Sequence, residues 1–309
     1  MNLRSGLLVM LCVALTVFFY LYLNASSLKD RFGAISGSAE GNVVRDGRTG
    51  HSNRFARAVS STIAIERAWQ MPEILKEISG LAYVDENRFA CIQDELGTIF
   101  IYNTSTEMVE KEIRFGVVDD YEGIAVAGDA AYVVTSNGRI TEVSGYRGDK
   151  PSTKIYATAL TAKENVEGLC YDPKTNNLLL AVKDEDRRSN DYKGIYAFNL
   201  SSKEFDARPA FTIDLNSELF ATGSKKKSKS SFYPSGISVH PQTGDLYIVD
   251  GRRPRLLVLD RSNKIKSVTT LNDKAFSQPE GIAFNPAAEL FISNEGTKHS
   301  GNILKVRLQ

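Results

Sequence analysis

The sequence predicts an all-β fold, a five-bladed β-propeller closed by an N-terminal strand. Three observations predict it. A six-residue phrase built around a glycine recurs five times, at Ile78–Tyr83, Tyr121–Val126, Val166–Tyr171, Pro234–Val239 and Pro279–Phe284. Its glycines, Gly80, Gly123, Gly168, Gly236 and Gly281, are 43, 45, 68 and 45 residues apart, a period that marks a repeat architecture. Each repeat is made of short β-branched or aromatic runs, with no long helical period between them.

Taken in order, the chain opens on an apolar leader. Ser5 to Ser27 carries no charged residue, and Leu7–Leu23 is a run of 17 mostly apolar residues. A bilayer is spanned by about 20 apolar residues, with about 17 at the short end. A cleaved signal peptide has an apolar core of only about 7–15 residues and a small-x-small site. Leu23-Asn24-Ala25 is a poor cleavage site, so residues 1–24 read as an uncleaved signal anchor. Arg4 precedes the run, and Lys29 and Arg31 follow it with Asp30 between. The placement of the body outside the cytoplasm therefore rests on the signal-like position rather than on flanking charge. The expected location is the cell membrane, single-pass, with the propeller on the periplasmic or extracellular side. Residues 25–60, rich in Gly and Ser with no apolar period, read as a flexible linker.

The propeller domain is expected over 61–309. After each glycine comes a short apolar strand, then a turn rich in Pro, Gly, Asn and Asp, such as Asp172–Asn177 or His240–Asp245. A second strand follows: Arg88–Ile92, Ala131–Thr135, Leu178–Val182, Leu246–Val249 and Leu290–Ser293. A third is read at Thr98–Tyr102, Arg139–Val143, Ile195–Phe198, Leu256–Leu259 and Ile303–Val306. Fourth strands are read at Glu110–Phe115, Thr153–Ala157, Ala210–Leu215 and Ile265–Leu271, and the fifth repeat lacks one. The unassigned run Thr62–Trp69 supplies it, because first and last blades are neighbours in a ring and closure leaves no open edge. Six blades are the alternative, with a degenerate blade in the 68-residue gap. The excess there is only about half a blade. It falls in two loops, Asp184–Lys193 and one holding the lysine run Lys225–Lys229, which reads as a solvated loop.

Composition excludes some functions. The net charge of +1 provides no bulk field to recruit nucleic acid. Three cysteines, Cys12, Cys91 and Cys170, are too few for a disulfide scaffold. Three scattered histidines and the absence of CxxC or HExxH argue against zinc, and no GxSxG elbow or P-loop occurs.

The position before each repeat glycine reads Ser79, Glu122, Glu167, Ser235, Glu280. The second strand runs antiparallel to the first, so its exits return to the same end: Asp94-Glu95, Ser136-Asn137, Asp184-Glu185, Asp250-Gly251 and Asn294-Glu295. Three glutamates around one axis repel unless a cation or a salt bridge offsets the cost. The Glu, Asp, Asn and Ser set suits Ca2+, or less well Mg2+. Salt bridges from Arg139, Lys183, Arg252 or Arg253 are the competing account.

These five phrases, in the order Ser, Glu, Glu, Ser, Glu, resemble the SdiA-regulated family over about residues 62–308. The resemblance implies a five-bladed propeller on a membrane anchor, with bound calcium and a distant likeness to NHL-repeat and phytase propellers. Carried over by position, Glu122, Glu167 and Glu280 are metal-ligand candidates, with Asp94 and Asp184 behind them. The chain departs from the family at Asp250-Gly251-Arg252-Arg253, where relatives tend to be more acidic. The cations of that departure, Arg252 and Arg253, together with Lys183 at the same channel mouth, are candidates for holding an anionic ligand. The expected function is a calcium-bearing module that binds a protein or an anionic small molecule. The alternative is a phytase-like, calcium-dependent phosphohydrolase. A lactonase-like enzyme fits less well, since those rings usually have six blades. No catalytic residue is assigned.

Overall fold

The computed structural model describes residues 62–220 and 231–309. The expected anchor, linker and lysine run lie outside the described residues. Among the described residues no helix is long and apolar enough to cross a membrane.

Among those residues twenty strands form five four-stranded antiparallel sheets, each one blade. Blade 1 holds β2 (Ile78–Asp85), β3 (Arg88–Gln93), β4 (Thr98–Asn103) and β5 (Met108–Arg114). Blade 2 holds β6 (Tyr121–Ala127), β7 (Ala130–Thr135), β8 (Ile140–Ser144) and β9 (Ser152–Tyr156). Blade 3 holds β10 (Val166–Asp172), β11 (Asn177–Val182), β12 (Tyr192–Asn199) and β13 (Glu204–Asp214). Blade 4 holds β14 (Pro234–Val239), β15 (Leu246–Asp250), β16 (Arg255–Leu259) and β17 (Ile265–Thr270). Blade 5 holds β18 (Pro279–Phe284), β19 (Leu290–Asn294) and β20 (Asn302–Leu308), with β1 (Ile63–Gln70) as its outer strand. The β1–β20 pairing runs from Ile63 opposite Leu308 to Gln70 opposite Asn302. The five-blade count and the closing strand expected from the sequence are both present, and the described residues of the longest gap hold a loop and a long β13 instead of a sixth blade.

The core is divided into five apolar clusters, one at each interface between neighbouring blades. Alternate residues of a strand feed different clusters. Phe89 and Cys91 of β3 pack toward blade 5, while Ala90 and Ile92 pack toward blade 2. A strand buried on both faces reads as a continuous apolar run, as in Leu178-Leu179-Leu180-Ala181-Val182, all buried. Outer strands instead alternate or are exposed, as in Met108–Arg114 and Ser152–Tyr156. Trp69 of β1 crosses the seam between blades 5 and 1: its Nε1–H donates to Thr104 O at 2.9 Å and its ring packs against Phe291.

Every innermost strand carries a register shift at the same place. The pairing skips Ser79, Glu122, Glu167, Ser235 and Glu280, one bulged residue per blade. A bulge leaves its extra residue out of the ladder and re-aims the side chain. The glycine that follows lets the next blade approach. A Cβ on Gly123 would lie 2.8 Å from Leu169 Cβ, and one on Gly281 would lie 2.7 Å from Leu81 Cβ and 2.8 Å from Leu81 N. The second of these contacts closes the ring, from blade 5 to blade 1.

Gly281→Ala is therefore expected to destabilise the propeller by about 1–3 kcal/mol through overpacking. Gly148, whose nearest neighbour across a built Cβ is Gly145 O at 3.5 Å, is the control: Gly148→Ala should change stability by less than about 0.5 kcal/mol. Urea midpoints of the two variants measure the difference, and equal midpoints would refute the close-approach account.

Candidate functional site at the axial mouth

The bulges bring Glu122, Glu167 and Glu280 to one end of the channel, as the strand connectivity predicts. With Ser79 they line an axial space of about 10 Å³, room for about one water-sized particle. The two serines serve a different end. Ser79 Oγ donates to Tyr121 O at 2.8 Å and Ser235 Oγ donates to Pro279 O at 2.6 Å. Each ties its own inner strand to the residue just before the next blade's glutamate, so they act as inter-blade links.

Burial and crowding act together on the glutamates. Glu167 and Glu280 are 3% and 6% exposed. Burial, then the charges of Glu167, Asp120 and Glu280, push Glu122 up to about 9. Glu280 is raised by burial and by Glu167. Glu167 is raised by burial, with Lys183 pulling the other way. The Lys183 ammonium pairs with Glu167 Oε1. Burial opposes that charge, but Glu167, Glu280 and Glu122 outweigh it and hold Lys183 above its ordinary pKa. Glu167 Oε2 is buried with no hydrogen-bond partner among the described residues.

A second tier of polar groups steadies the glutamates, and the sequence reading did not single it out. Asn165 Nδ2 donates to Glu167 Oε1 at 2.9 Å and to Asp184 Oδ2 at 3.1 Å. Gln278 Nε2 donates to Glu280 Oε1 at 3.0 Å and to Glu295 Oε2. Both amides stand two residues before their glutamate. In blade 2 that position is Asp120, an acid whose charge adds to burial and to Glu167 in raising Glu122. The repeated spacing Asp120-x-Glu122, Asn165-x-Glu167, Gln278-x-Glu280 was the available signal.

The other expected site residues divide. Asp184 lies beside the axis and accepts from Arg252 Nη2 at 3.1 Å. Asp94 is half-buried, raised chiefly by burial and by Glu77, and its Oδ1 has no partner among the described residues. Arg139 pairs with Asp119, not with the axial glutamates. Arg253 is exposed, and its backbone N–H donates to Asp250 Oδ1 at 3.0 Å. Asp250 is fully buried and holds the turn, also accepting from Arg252 N at 3.1 Å and Arg255 Nη2 at 2.5 Å. Lys183 and Arg252 thus both engage carboxylates, as the salt-bridge account expects. Beside the axis lies a cleft of about 270 Å³ lined by Asp184, Tyr192, Lys193, Tyr233 and Arg252 among others, with the Arg252 guanidinium 4.3 Å from the Tyr233 ring centre. Among the described residues no group of three or more His, Cys, Asp or Glu side chains is arranged to hold a metal ion. His240 lies in a hairpin turn, where its Nδ1 accepts from Thr243 N at 3.2 Å.

Folded-state carboxylates that keep their protons to higher pH bind more protons than the unfolded chain does. Their contribution to stability falls as pH rises from the ordinary glutamate value of about 4.3 toward the raised values. The melting temperature without added divalent ions should therefore fall between pH 5 and pH 9, roughly the window set by these shifts. Glu122→Gln should flatten that slope and melt higher than the parent near the top of the window. Parallel profiles for the two chains would remove Glu122 from the axial repulsion.

Comparison with known proteins adds family and fold. The family model described as SdiA-regulated matches residues 57–298. No curated protein matches the chain. Among solved structures, Myxococcus xanthus glutaminyl cyclase is 16% identical with a TM-score of 0.58, covering 82% of this chain and 99% of that one. The PQQ-bound aldose sugar dehydrogenase of Streptomyces coelicolor is 13% identical with a TM-score of 0.49, covering 82% of this chain and 100% of that one. A Bacteroides thetaiotaomicron protein of unknown function is 14% identical with a TM-score of 0.48, covering 80% and 76%. At 16% identity the likeness to the glutaminyl cyclase is one of fold.

Proposed function

Because this chain belongs to the SdiA-regulated family, we propose that it is a ligand- or protein-binding propeller, held at the cell membrane by residues 1–24 and facing the periplasmic or extracellular side, with calcium at its axial mouth. One observation carries the reading: three buried or half-buried glutamates line one axial space, Lys183 pairs with Glu167 among them, and one buried carboxylate oxygen has no partner among the described residues. Carboxylate oxygens are hard donors of the kind Ca2+ takes in sixes to eights, with waters and carbonyls completing the shell. The donor chemistry of Glu122, Glu167 and Glu280 is of the kind the ion takes, but with Lys183 on Glu167 they are not arranged to hold one. Binding requires Lys183 to give way and the carboxylates to draw together, with Asp184 and Asp94 as outer carboxylates. Bound calcium would supply fixed positive charge at the mouth and a point of attachment for an anionic group of the partner. The neighbouring cleft, with Arg252 and Lys193 on its wall, gives that partner a place to sit. Phosphoester hydrolysis has less support, since no nucleophile or general base is recognisable in the sequence.

A ligand that binds only the folded form stabilises it, by about 2.7 kcal/mol at a hundred times its Kd. Calcium should thus raise the melting temperature of the full-length chain by several degrees over chelator-treated protein. Glu167→Gln should abolish the rise. A melting temperature indifferent to calcium in the parent chain would refute calcium at this mouth.

A further inference from the structure

Lys183 is the first residue beyond β11, and its side chain is only 15% exposed. It pairs with Glu167 and lies in the field of Glu122, Glu280 and Glu295. Its backbone is pinned: its N–H donates to Asn165 O at 2.9 Å and its carbonyl accepts from Lys193 Nζ at 2.7 Å. The side chain alone is left to move, and the 270 Å³ cleft opens next to its neighbour Asp184.

We propose that Lys183 is a tethered counter-ion that competes with free cations for Glu122, Glu167 and Glu280, and thereby makes the axial mouth selective for divalent over monovalent ions. The inference rests on the reading of this mouth as a cation site. The argument is one of charge and entropy. An incoming Na+ or K+ brings no more charge than the ammonium it has to displace. It also loses translational freedom on binding, which the tethered ammonium does not. A divalent ion brings twice the charge to the same three carboxylates, and Coulomb attraction scales with that charge. Hard dications further recruit the oxygen left without a partner on Glu167, which the ammonium does not engage. The lysine thus sets a threshold that only a dication crosses, and an ion that crosses it turns the ammonium out toward the mouth.

The test compares the full-length parent with Lys183→Met, which keeps the stem and removes the charge. Calorimetric titration with calcium chloride in choline chloride should show binding at least about tenfold tighter in the variant, equivalent to about 1.4 kcal/mol. Replacing choline by potassium at matched ionic strength should raise the variant's melting temperature and leave the parent's unchanged. A purely structural lysine predicts a variant that melts low in every salt. Equal calcium affinities in the two chains would overturn the competition while leaving calcium at the axis intact. Absence of calcium binding in both would overturn the calcium reading and the competition with it. Should Lys183→Met fail to fold, the parent carries the test through acylation of Lys183 by an amine-reactive ester, followed by peptide mass spectrometry. Calcium should speed that acylation, and an unchanged rate would refute displacement of the side chain.

Discussion

The contact on which this molecule depends is the one between a repeat glycine and the inner strand of the next blade. Around the ring each blade's innermost strand touches its neighbour's at this level, and any side chain larger than hydrogen would push the two apart. The bulge one residue earlier follows from the same constraint. Strands that converge this tightly cannot keep a regular ladder to the axis, and the extra residue relieves the register while sending its side chain into the channel. Fold and site are therefore one arrangement: the feature that lets five sheets meet is also what lines their meeting point with carboxylates.

That coupling has an electrostatic cost which the chain meets unevenly. Blade 3 supplies a lysine and an asparagine to its own glutamate, and blade 5 supplies a glutamine. Blade 2 supplies another acid, Asp120, and leaves Glu122 the least compensated. The serines of blades 1 and 4 avoid the cost by donating to a neighbouring carbonyl. A ring with five charged bulges would carry far more repulsion, and the two serines keep the number to three.

Much of this was legible in the residues. The five phrases, their spacing and the spare strand at Thr62–Trp69 specified blade number and closure, because a strand buried on both faces leaves a continuous apolar signature. Element ends differed by a residue or two, except in blade 3, where β12 begins at Tyr192 and β13 at Glu204, both earlier than their apolar cores. The convergence of Glu122, Glu167 and Glu280 followed from connectivity alone. What the residues did not reveal was which groups answer those charges. Arg139, Lys183 and Arg252 looked equivalent in sequence, yet each reaches a different carboxylate, and that choice depends on side-chain reach across blades. Asp250 read as one more acid at the mouth, but its burial beneath Arg255 makes it part of a turn.

The closing seam places the first and the last described strands side by side, with Thr62 Oγ1 donating to Gln309 Oε1 across 247 positions of sequence. A chain emerging from the ribosome cannot finish blade 5 until β20 has been made. Four blades must wait, with β1 unpaired and the inner face of blade 1 uncovered, for the last few residues of the seam. During that interval the nascent ring is vulnerable to proteases and to edge-to-edge pairing with its siblings.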